Sequence, residues 1–411
     1  MYKFSAASLS FILICNSLLA QLNNTGSNTR GTWQLNTITT AVPFLQITPD
    51  SRSGALGDAG VALSPDANAT FWNAAKLAFV EEDVELSLSY SPWLRALVND
   101  MSLSFLSGYK KLSKNQTIGG SLRYFTLGNI TFTDEVGTTI RDFKPNEFSL
   151  DASFGQKFSE SFSGGIAIRY IYSNLTGGTN NNGVDTRPGM GVAADISVFY
   201  SKSRLKVGGK DARLNIGANV NNIGNKMRYT NSDKRDFIPT NLKLGTAFTV
   251  NLDKYNQITA LVDFNKLLVP TPPRYNAAGD SILGGKDPNV GVATGIVQSF
   301  SDAPGDVSNE GAIIEGTVFK EELREINIGG GLEYWYDQQF AFRTGYFFEH
   351  YTKGNRQFIT LGAGLKYQVL TIDLSYLIST TQQNPLANTL RFSMRFALGS
   401  NKQADEEDIN E

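Results

Sequence analysis

The segment Leu390-Arg391-Phe392-Ser393-Met394-Arg395-Phe396-Ala397-Leu398 alternates large apolar residues with polar or small ones. Successive side chains of a β-strand point to opposite faces, so this alternation predicts a strand with one apolar and one polar face. A slip of one residue would exchange the two faces, which makes the register well specified. We therefore predict that the two arginines point into a lumen while the large apolar residues between them face lipid.

The same period of two recurs along most of the chain and predicts fourteen strands of about 10 to 14 residues, long enough to cross a membrane at a tilt. Tight and long connections alternate between them, which predicts short turns on one side and long loops on the other. The predicted fold is all-β: a 14-stranded antiparallel transmembrane outer-membrane β-barrel. A soluble β-sandwich is the alternative, and it would not separate its loops in this way. The strands are expected to begin near Val84, Asp100, Gln116, Glu147, Phe162, Gly191, Ala212, Thr240, Gln257, Ile326, Phe340, Arg356, Leu370 and Thr389.

The composition agrees with this fold. Charged residues are only 18% of the 411, against about 25% in an average protein, whereas Gly reaches 39 and Tyr and Phe together reach 42. The net charge of -2 gives no sign of nucleic-acid binding. His350 and Cys15 are the only residues of their types, which leaves little for His- or Cys-based metal or acid–base chemistry. We expect no metal and no cofactor.

The N-terminus has the pattern of a secretory signal peptide. A positive charge at Lys3 precedes an apolar stretch at residues 11–19, and Ala20 offers a cleavage point. The alternative is a lipoprotein acylated at Cys15, which is disfavoured because Ile14 is not a small residue. No later run of about 18 apolar residues exists, so no transmembrane helix is expected.

Four segments are therefore predicted: a signal peptide at 1–20, an N-terminal periplasmic or hatch segment at 21–82, the barrel at 83–399 and an acidic periplasmic tail at 400–411. The second segment is rich in glycine and small residues, which let a backbone fold back tightly, and it could lie inside the barrel mouth. An even number of strands puts both ends of the barrel on the periplasmic side.

The polar faces of the predicted strands carry charges of both signs. Charges facing lipid are costly, so we expect these side chains to line the lumen. Mutual pairing that stiffens the wall and a polar conduit for a solute are both open hypotheses, with pairing favoured by the mixed signs. The lumen charges singled out are Arg123, Arg169, Arg213, Asp263, Arg343, Asp373, Arg391 and Arg395.

Two motifs before the first strand carry a family resemblance. The run Gly57-Asp58-Ala59-Gly60-Val61-Ala62, followed by Phe71-Trp72-Asn73-Ala74-Ala75, resembles the N-terminal hatch of the FadL-type long-chain fatty-acid transporter superfamily. Phe-Tyr-Asn-Pro-Ala-Gly is usual there, and here Ala74 replaces the Pro and Lys76 the Gly. The longer string over residues 47–73 is similar to the PorV (LptO) family of type IX secretion. The hatch residues singled out are Gly57, Asp58, Gly60, Phe71, Trp72 and Asn73.

The resemblance implies a fourteen-stranded barrel of the outer membrane with a hatch. It implies a protein that binds cargo C-terminal signal domains leaving the translocon and shuttles them to the attachment and processing complex. The implied partners are an SprA-type translocon barrel, the cargo C-terminal domains, a PorU-containing attachment complex and membrane lipids. The alternatives are a FadL-like transporter of hydrophobic small molecules and a lipopolysaccharide deacylase. No Gly-x-Ser-x-Gly motif accompanies His350, so we expect no enzyme.

Two outer segments are candidates for partner or cargo binding. Residues 267–325 form the longest connection, and Pro270, Pro272 and Pro273 hold its start extended. The first outer hairpin carries an apolar patch that includes Trp93, Leu94 and Leu97. This patch could be a protein contact or part of an interfacial aromatic belt.

Overall fold

The computed structural model describes residues 35–94, 100–133, 138–178, 180–181, 184–231, 235–276, 278–306, 313–314, 316–380 and 386–399. The signal peptide with Cys15, residue Leu97 of the first outer hairpin and the acidic tail lie outside these residues.

Fourteen antiparallel strands close into one barrel, with β1 paired to both β2 and β14. Each strand begins within two residues of its predicted position, so the fold predicted from the alternation is confirmed. The barrel strands are β1 (Val84–Pro92), β2 (Met101–Ser113), β3 (Gln116–Leu127), β4 (Asn146–Lys157), β5 (Phe162–Asn174), β6 (Gly189–Val207), β7 (Lys210–Gly224), β8 (Asn241–Asn251), β9 (Asn256–Leu267), β10 (Ile326–Tyr336), β11 (Phe340–Phe348), β12 (Gln357–Tyr367), β13 (Leu370–Ser379) and β14 (Leu390–Leu398).

Short and long connections segregate to opposite ends of the barrel. Outer-membrane barrels turn their short connections to the periplasm and their long loops outward, and this orients the molecule. Within the described residues, the long loops add three small hairpins and two helices. These are Ile130–Thr133 with Thr139–Phe143, Asn180–Asn181 with Val184–Asp185, Arg274–Tyr275 with Ile282–Gly284, and helices α1 (Val292–Gln298) and α2 (Thr317–Arg324). None of the helices in the described ranges is both long and apolar enough to span a membrane.

The two faces of each strand differ in exposure. In β1, Leu86, Leu88 and Tyr90 are 49%, 46% and 48% exposed, whereas the alternating residues Glu85 and Ser87 are buried. The exposed apolar residues form the lipid-facing surface and the buried polar ones face the lumen.

Strand β14 follows the same rule. Arg391 and Arg395 are buried and bond to groups inside the barrel, whereas Leu390, Phe396 and Leu398 are exposed on the outer face.

The hatch, here residues 35–80, fills the lumen. It enters among the long loops, where the Asn36 and Ala41 amides donate to the carbonyls of Thr352 and Phe237 at 2.9 and 2.8 Å. It then runs toward the short-turn end, where β1 begins. Its helical turns are Pro43–Gln46, Ser51–Gly54, Ala69–Trp72 and Ala74–Phe79.

Glycines on the inner face of the wall let the hatch backbone touch the strands. A Cβ at Gly345 would lie 2.2 Å from the Gly57 nitrogen, and one at Gly165 would lie 2.2 Å from the Ala75 nitrogen. Any side chain there would collide with backbone that cannot move aside, so the wall and the hatch are matched in shape.

Candidate functional site: the plugged lumen and the outer loop

A closed ring of buried charges fastens the hatch to the wall. Arg52 of the hatch makes a bidentate bond to Glu333, with its Nε and Nη2 2.9 and 2.8 Å from the two carboxylate oxygens. Arg52 also contacts Asp66 at 3.0 Å, so the hatch contributes one cation and one anion. The ring alternates in sign and runs through Arg52, Glu333, Arg343, Asp373, Arg395 and Asp66 back to Arg52.

The glycine-rich hatch motif is held by a wall carboxylate. Asp263 of β9 is fully buried and accepts from the backbone amides of Gly60 and Val61 at 2.6 and 2.9 Å. Gly57 has a φ of 71°, a left-handed conformation that suits glycine, and its amide donates to Thr360 at 3.0 Å. These contacts bring together predicted hatch and lumen residues.

The second hatch motif forms the aromatic centre of the plug. Phe71 and Trp72 meet edge to face with ring centroids 4.9 Å apart, and the Trp72 indole nitrogen donates to Asp50 at 2.7 Å. Lys243 of β8 lies over both rings, 4.8 and 4.6 Å from their centroids. Asn73 caps the following turn at the Ala75 amide and also donates to a wall carbonyl.

The other predicted lumen charges divide into two groups. Arg123 and Arg169 share Asp151, and Arg169 also pairs with Asp195, all in the buried interior. Arg391 pairs with hatch residue Asp58 at 2.8 Å. Arg213, by contrast, is exposed near the short-turn end of β7.

A cavity of about 410 Å³ lies at the long-loop mouth, between the start of the hatch and the loops. Its lining mixes charged residues, such as Arg356 with its partner Glu349, and apolar ones, such as Phe347 and Phe358. Trp93 also lines this cavity and packs beside the apolar cluster around Phe44.

The outer loop, here residues 268–325, is fastened to the mouth by charges. Lys266 contacts Glu322 and Glu325 at 3.0 and 2.7 Å. Lys353 contacts Glu321 and Glu325 at 2.8 and 3.0 Å. All five residues are buried. Removing the whole loop would therefore leave the buried cations Lys266 and Lys353 without these partners, which costs stability.

Helix α2 of this loop buries most of its charged residues and exposes apolar ones. Three of its charged residues, Glu321, Glu322 and Arg324, are buried, whereas Phe319 and Leu323, one helical turn apart, are 71% and 51% exposed. The fourth charged residue, Lys320, is exposed. Beyond α1, Phe300 is 52% exposed, and Val297 within α1 is 73% exposed. Sequence reasoning missed this arrangement, although the spacing of Phe319 and Leu323 already indicates one apolar helix stripe.

The predicted prolines pack within the outer loop and against the hatch, and the described hairpin residues lie on a separate loop. Pro270 packs near Gly295 of α1, Pro272 accepts from Asn36 at 3.3 Å, and Pro273 lies near Gly285. Leu94, with a φ of 48°, follows Trp93 on the first outer hairpin. The prolines thus contact other parts of the loop and the hatch.

The His350 ring makes its hydrogen bonds within its own turn. Its Nδ1 accepts from the Thr352 amide at 3.3 Å and lies 2.9 Å from the Thr352 hydroxyl oxygen. Burial, together with the nearby cations Arg324 and Lys353, lowers the pKa of His350 to about 4. Among the described residues, no group of three or more His, Cys, Asp or Glu side chains is placed to hold a metal ion.

A closed strand ladder, an apolar outer face and a lumen filled by the chain's own N-terminal segment define an outer-membrane β-barrel of the plugged class. The family model "Type IX secretion system protein PorV" matches residues 30–274, more than half of the chain. The protein belongs to the PorV family of type IX secretion and is a multi-pass barrel of the outer membrane. No protein of curated function matches the sequence significantly.

Several solved barrels are similar in structure. The toluene transporter TodX of P. putida has a TM-score of 0.48 and 11% identity, covering 85% of this chain and 98% of its own. TbuX, the toluene transporter of Ralstonia pickettii, has a TM-score of 0.45 and 11% identity, covering 86% and 97%. A FadL homologue of Pseudomonas aeruginosa has a TM-score of 0.39 and 12% identity, covering 88% and 99%.

Proposed function

We propose that this protein binds cargo C-terminal domains as they leave the translocon and carries them to the attachment and processing complex. Four exposed apolar side chains of the outer loop, Val297, Phe300, Phe319 and Leu323, carry the proposal. We define these four side chains as the docking surface. The proposed partners are an SprA-type translocon barrel, the cargo domains and a PorU-containing attachment complex.

The orientation of α2 supports docking. Exposed apolar patches outside the membrane mark interaction sites, because contact with water costs free energy that a partner would recover. The charged face of α2 is already bonded to the mouth, so the helix cannot turn its apolar face inward without breaking those pairs. A standard interface covers roughly 800 Å² on each partner, an area that one loop of this length can supply.

The proposal also requires that one surface serve partners in turn. A shuttle must leave the translocon before it reaches the attachment complex, which calls for an interface of limited size and moderate affinity. Anchor side chains that project from a loop on a rigid barrel fit this need, because few of them carry most of the binding energy.

Uptake of hydrophobic small molecules is less well supported. The described hatch fills the lumen with fully buried residues and is fastened by the ion ring, so passage would require the hatch to move. Deacylation is also less well supported, because the Nδ1 of His350 already accepts a backbone hydrogen bond and its low pKa makes it a weak base. We propose binding rather than catalysis.

The test is the double variant Phe319→Ser, Leu323→Ser, with Ile130→Ser as the matched control. Ile130 is a 43% exposed apolar residue on a different outer hairpin. We expect the double variant to lose capture of the translocon barrel and surface delivery of cargo by about tenfold or more, as for anchor residues. Heat-modifiable migration on gels checks that both variants fold.

Wild-type capture and delivery by the folded double variant would overturn the proposal. Equal loss in Ile130→Ser would show that any exposed apolar residue matters, and this would also overturn the assignment to the outer loop. Under the uptake hypothesis, both variants would secrete cargo normally and only hydrophobic-solute entry would change.

A further inference from the structure

A groove crosses the lipid-facing surface of β5 to β9. It has a volume of about 470 Å³, and its floor is formed where the small residues Ala218 and Thr246 interrupt a surface of large ones. Its sides include Val198, Leu244 and Phe264, which are 41%, 45% and 43% exposed. Because these faces lie on membrane-crossing strands, the groove opens to the hydrocarbon of the bilayer.

The short-turn hairpin below this groove is basic. From residue 202 to 213, the β6–β7 hairpin holds five cations, Lys202, Arg204, Lys206, Lys210 and Arg213, against one anion, Asp211. Strand β5 ends its pairing with β6 at Phe162 opposite Tyr200, so the hairpin projects past that neighbour. All five cations are exposed.

The groove and the hairpin share an outer face. Side chains alternate along β6, so Val198, Tyr200 and Lys202 point outward one below another. Tyr200 lines the groove and lies two residues, about 7 Å, above Lys202. An aromatic ring above a cation is the arrangement found where strands pass from hydrocarbon into headgroups.

We propose that the groove and the basic hairpin together form a binding site for an anionic phospholipid of the periplasmic leaflet. The acyl chains lie in the groove, and the phosphate lies against Lys202, Arg204 and Lys210. Lys206 is paired with the anion Asp211 at 2.7 Å and serves the site less. The Lys210 Nζ donates to the neutral Leu252 carbonyl at 2.6 Å, so its charge stays available to the phosphate.

A lipid fits this surface better than a protein does. The groove is at membrane depth, where acyl chains are the surrounding medium, and it continues without a break into the lipid-facing wall. The headgroup must be anionic because three more cations than anions remain on this hairpin even when Arg213, which alternates toward the lumen, is left out. The neighbouring short turn at Asp253-Lys254 has one charge of each sign and offers no such excess.

The experiment compares phosphatidylglycerol with phosphatidylcholine bound to the full-length barrel, counted by native mass spectrometry from mixed micelles. The headgroup variant is Lys202→Gln, Arg204→Gln, Lys210→Gln, and its control is Lys254→Gln on the neighbouring turn. A second variant, Ala218→Phe, fills the groove without touching a charge, and Leu122→Phe is its control on another lipid-facing strand. Leu122 is 40% exposed on that face.

The wild type should retain phosphatidylglycerol preferentially. We expect the headgroup variant to lose about fivefold of this preference for each charge removed. Ala218→Phe should lower retention of both lipids at least about threefold, because the chains lose their contact area. Both controls should match the wild type.

Three results would overturn the proposal. One is equal retention of the two lipids by the wild type, and another is full retention by Ala218→Phe. The third is displacement of phosphatidylglycerol by inorganic phosphate at equal concentration, which would leave only an anion site. Because the headgroup variant removes charges and Ala218→Phe fills the groove, poor folding of one variant leaves the other decisive.

Discussion

The hatch and the outer loop are fastened to the barrel by the same chemistry, but they present opposite surfaces. Both hold their charges inward, in bonds to wall residues such as Glu333 and Lys266. The hatch also buries its apolar residues, including Phe71 and Trp72, whereas the outer loop leaves Phe319 and Val297 exposed. The hatch is therefore complete within this chain, and the outer loop has apolar surface left for another molecule.

The difference separates the scaffold of the molecule from the surface that we propose for partner contact. A buried ion network is worth little over an apolar core, but breaking it is costly, so it fixes one arrangement of the hatch. An outer loop fixed in the same way presents its anchors without having to order itself on binding, which lowers the entropic cost of association.

The largest effect is expected from opening the ion ring. Arg52→Ala leaves Glu333 and Asp66 buried without their hatch partner and should destabilise the barrel by about 3–5 kcal/mol. Lys206→Ala is the control, because its pair with Asp211 is 64% and 61% exposed and should contribute about 0–1 kcal/mol. Urea unfolding followed by heat-modifiable migration measures both. Similar midpoints for the two variants would mean that the ring does not hold the hatch.

A smaller loss of stability is expected from substituting a glycine of the barrel wall. Gly345→Ala puts a methyl group 2.2 Å from hatch backbone and should cost about 1–3 kcal/mol through forced displacement of the hatch. Gly120→Ala is the control, since its nearest contact is an ordinary 3.4 Å. Single-channel conductance in planar bilayers reports the hatch directly: we expect openings for Gly345→Ala alone. If Gly345→Ala shows no channel openings and is as stable as the wild type, the contact between the wall and the hatch is not tight.

The attachment of the outer loop should depend on pH through Asp302. Burial, with Glu322 and Glu325 nearby, raises the pKa of Asp302 to about 6. Between pH of about 4 and 6, the attached loop keeps a proton that the detached loop would release. Attachment therefore weakens as the pH rises through this window and stays weaker above it.

The variant Asp302→Asn should remove this pH dependence and strengthen attachment at pH 7.5 by about 1–2 kcal/mol. Hydrogen exchange in α2, corrected for intrinsic rates and measured at pH 5 and 7.5, tests it. The exposed Asp287→Asn provides the control. Wild-type exchange that slows as the pH rises would contradict the sign.

The smallest effect on stability is expected in the outer loop itself. Phe319→Ser changes a side chain that is 71% exposed and should alter the free energy of unfolding by less than about 0.5 kcal/mol. The same change is expected to weaken partner capture. Destabilisation comparable to that of Arg52→Ala would mean that Phe319 is part of the packed core. The outer loop would then not differ from the hatch in leaving apolar residues exposed.

The wall of this protein could be predicted from its sequence because strand periodicity is local. The alternation around Arg391 and Arg395 assigns their faces, since a membrane admits charge on only one side of a strand. The motif residues from Gly57 to Asn73 likewise identified the hatch segment. Arg213 shows the limit of this reasoning. The alternation predicts which face of the strand Arg213 lies on, but it does not predict that the residue lies near the end of β7, where it is exposed.

The partners inside the lumen and the orientation of the outer loop were decided only by the tertiary structure. Nothing local pairs Arg52 with Glu333, which is 281 residues away, or brings Gly345 against Gly57. The stripe at Phe319 and Leu323 is visible in the sequence, but apolar stripes ordinarily turn inward. Here it faces outward because the carboxylates of the same helix meet buried lysines from β9 and the mouth, and breaking those pairs costs more than leaving two apolar side chains exposed.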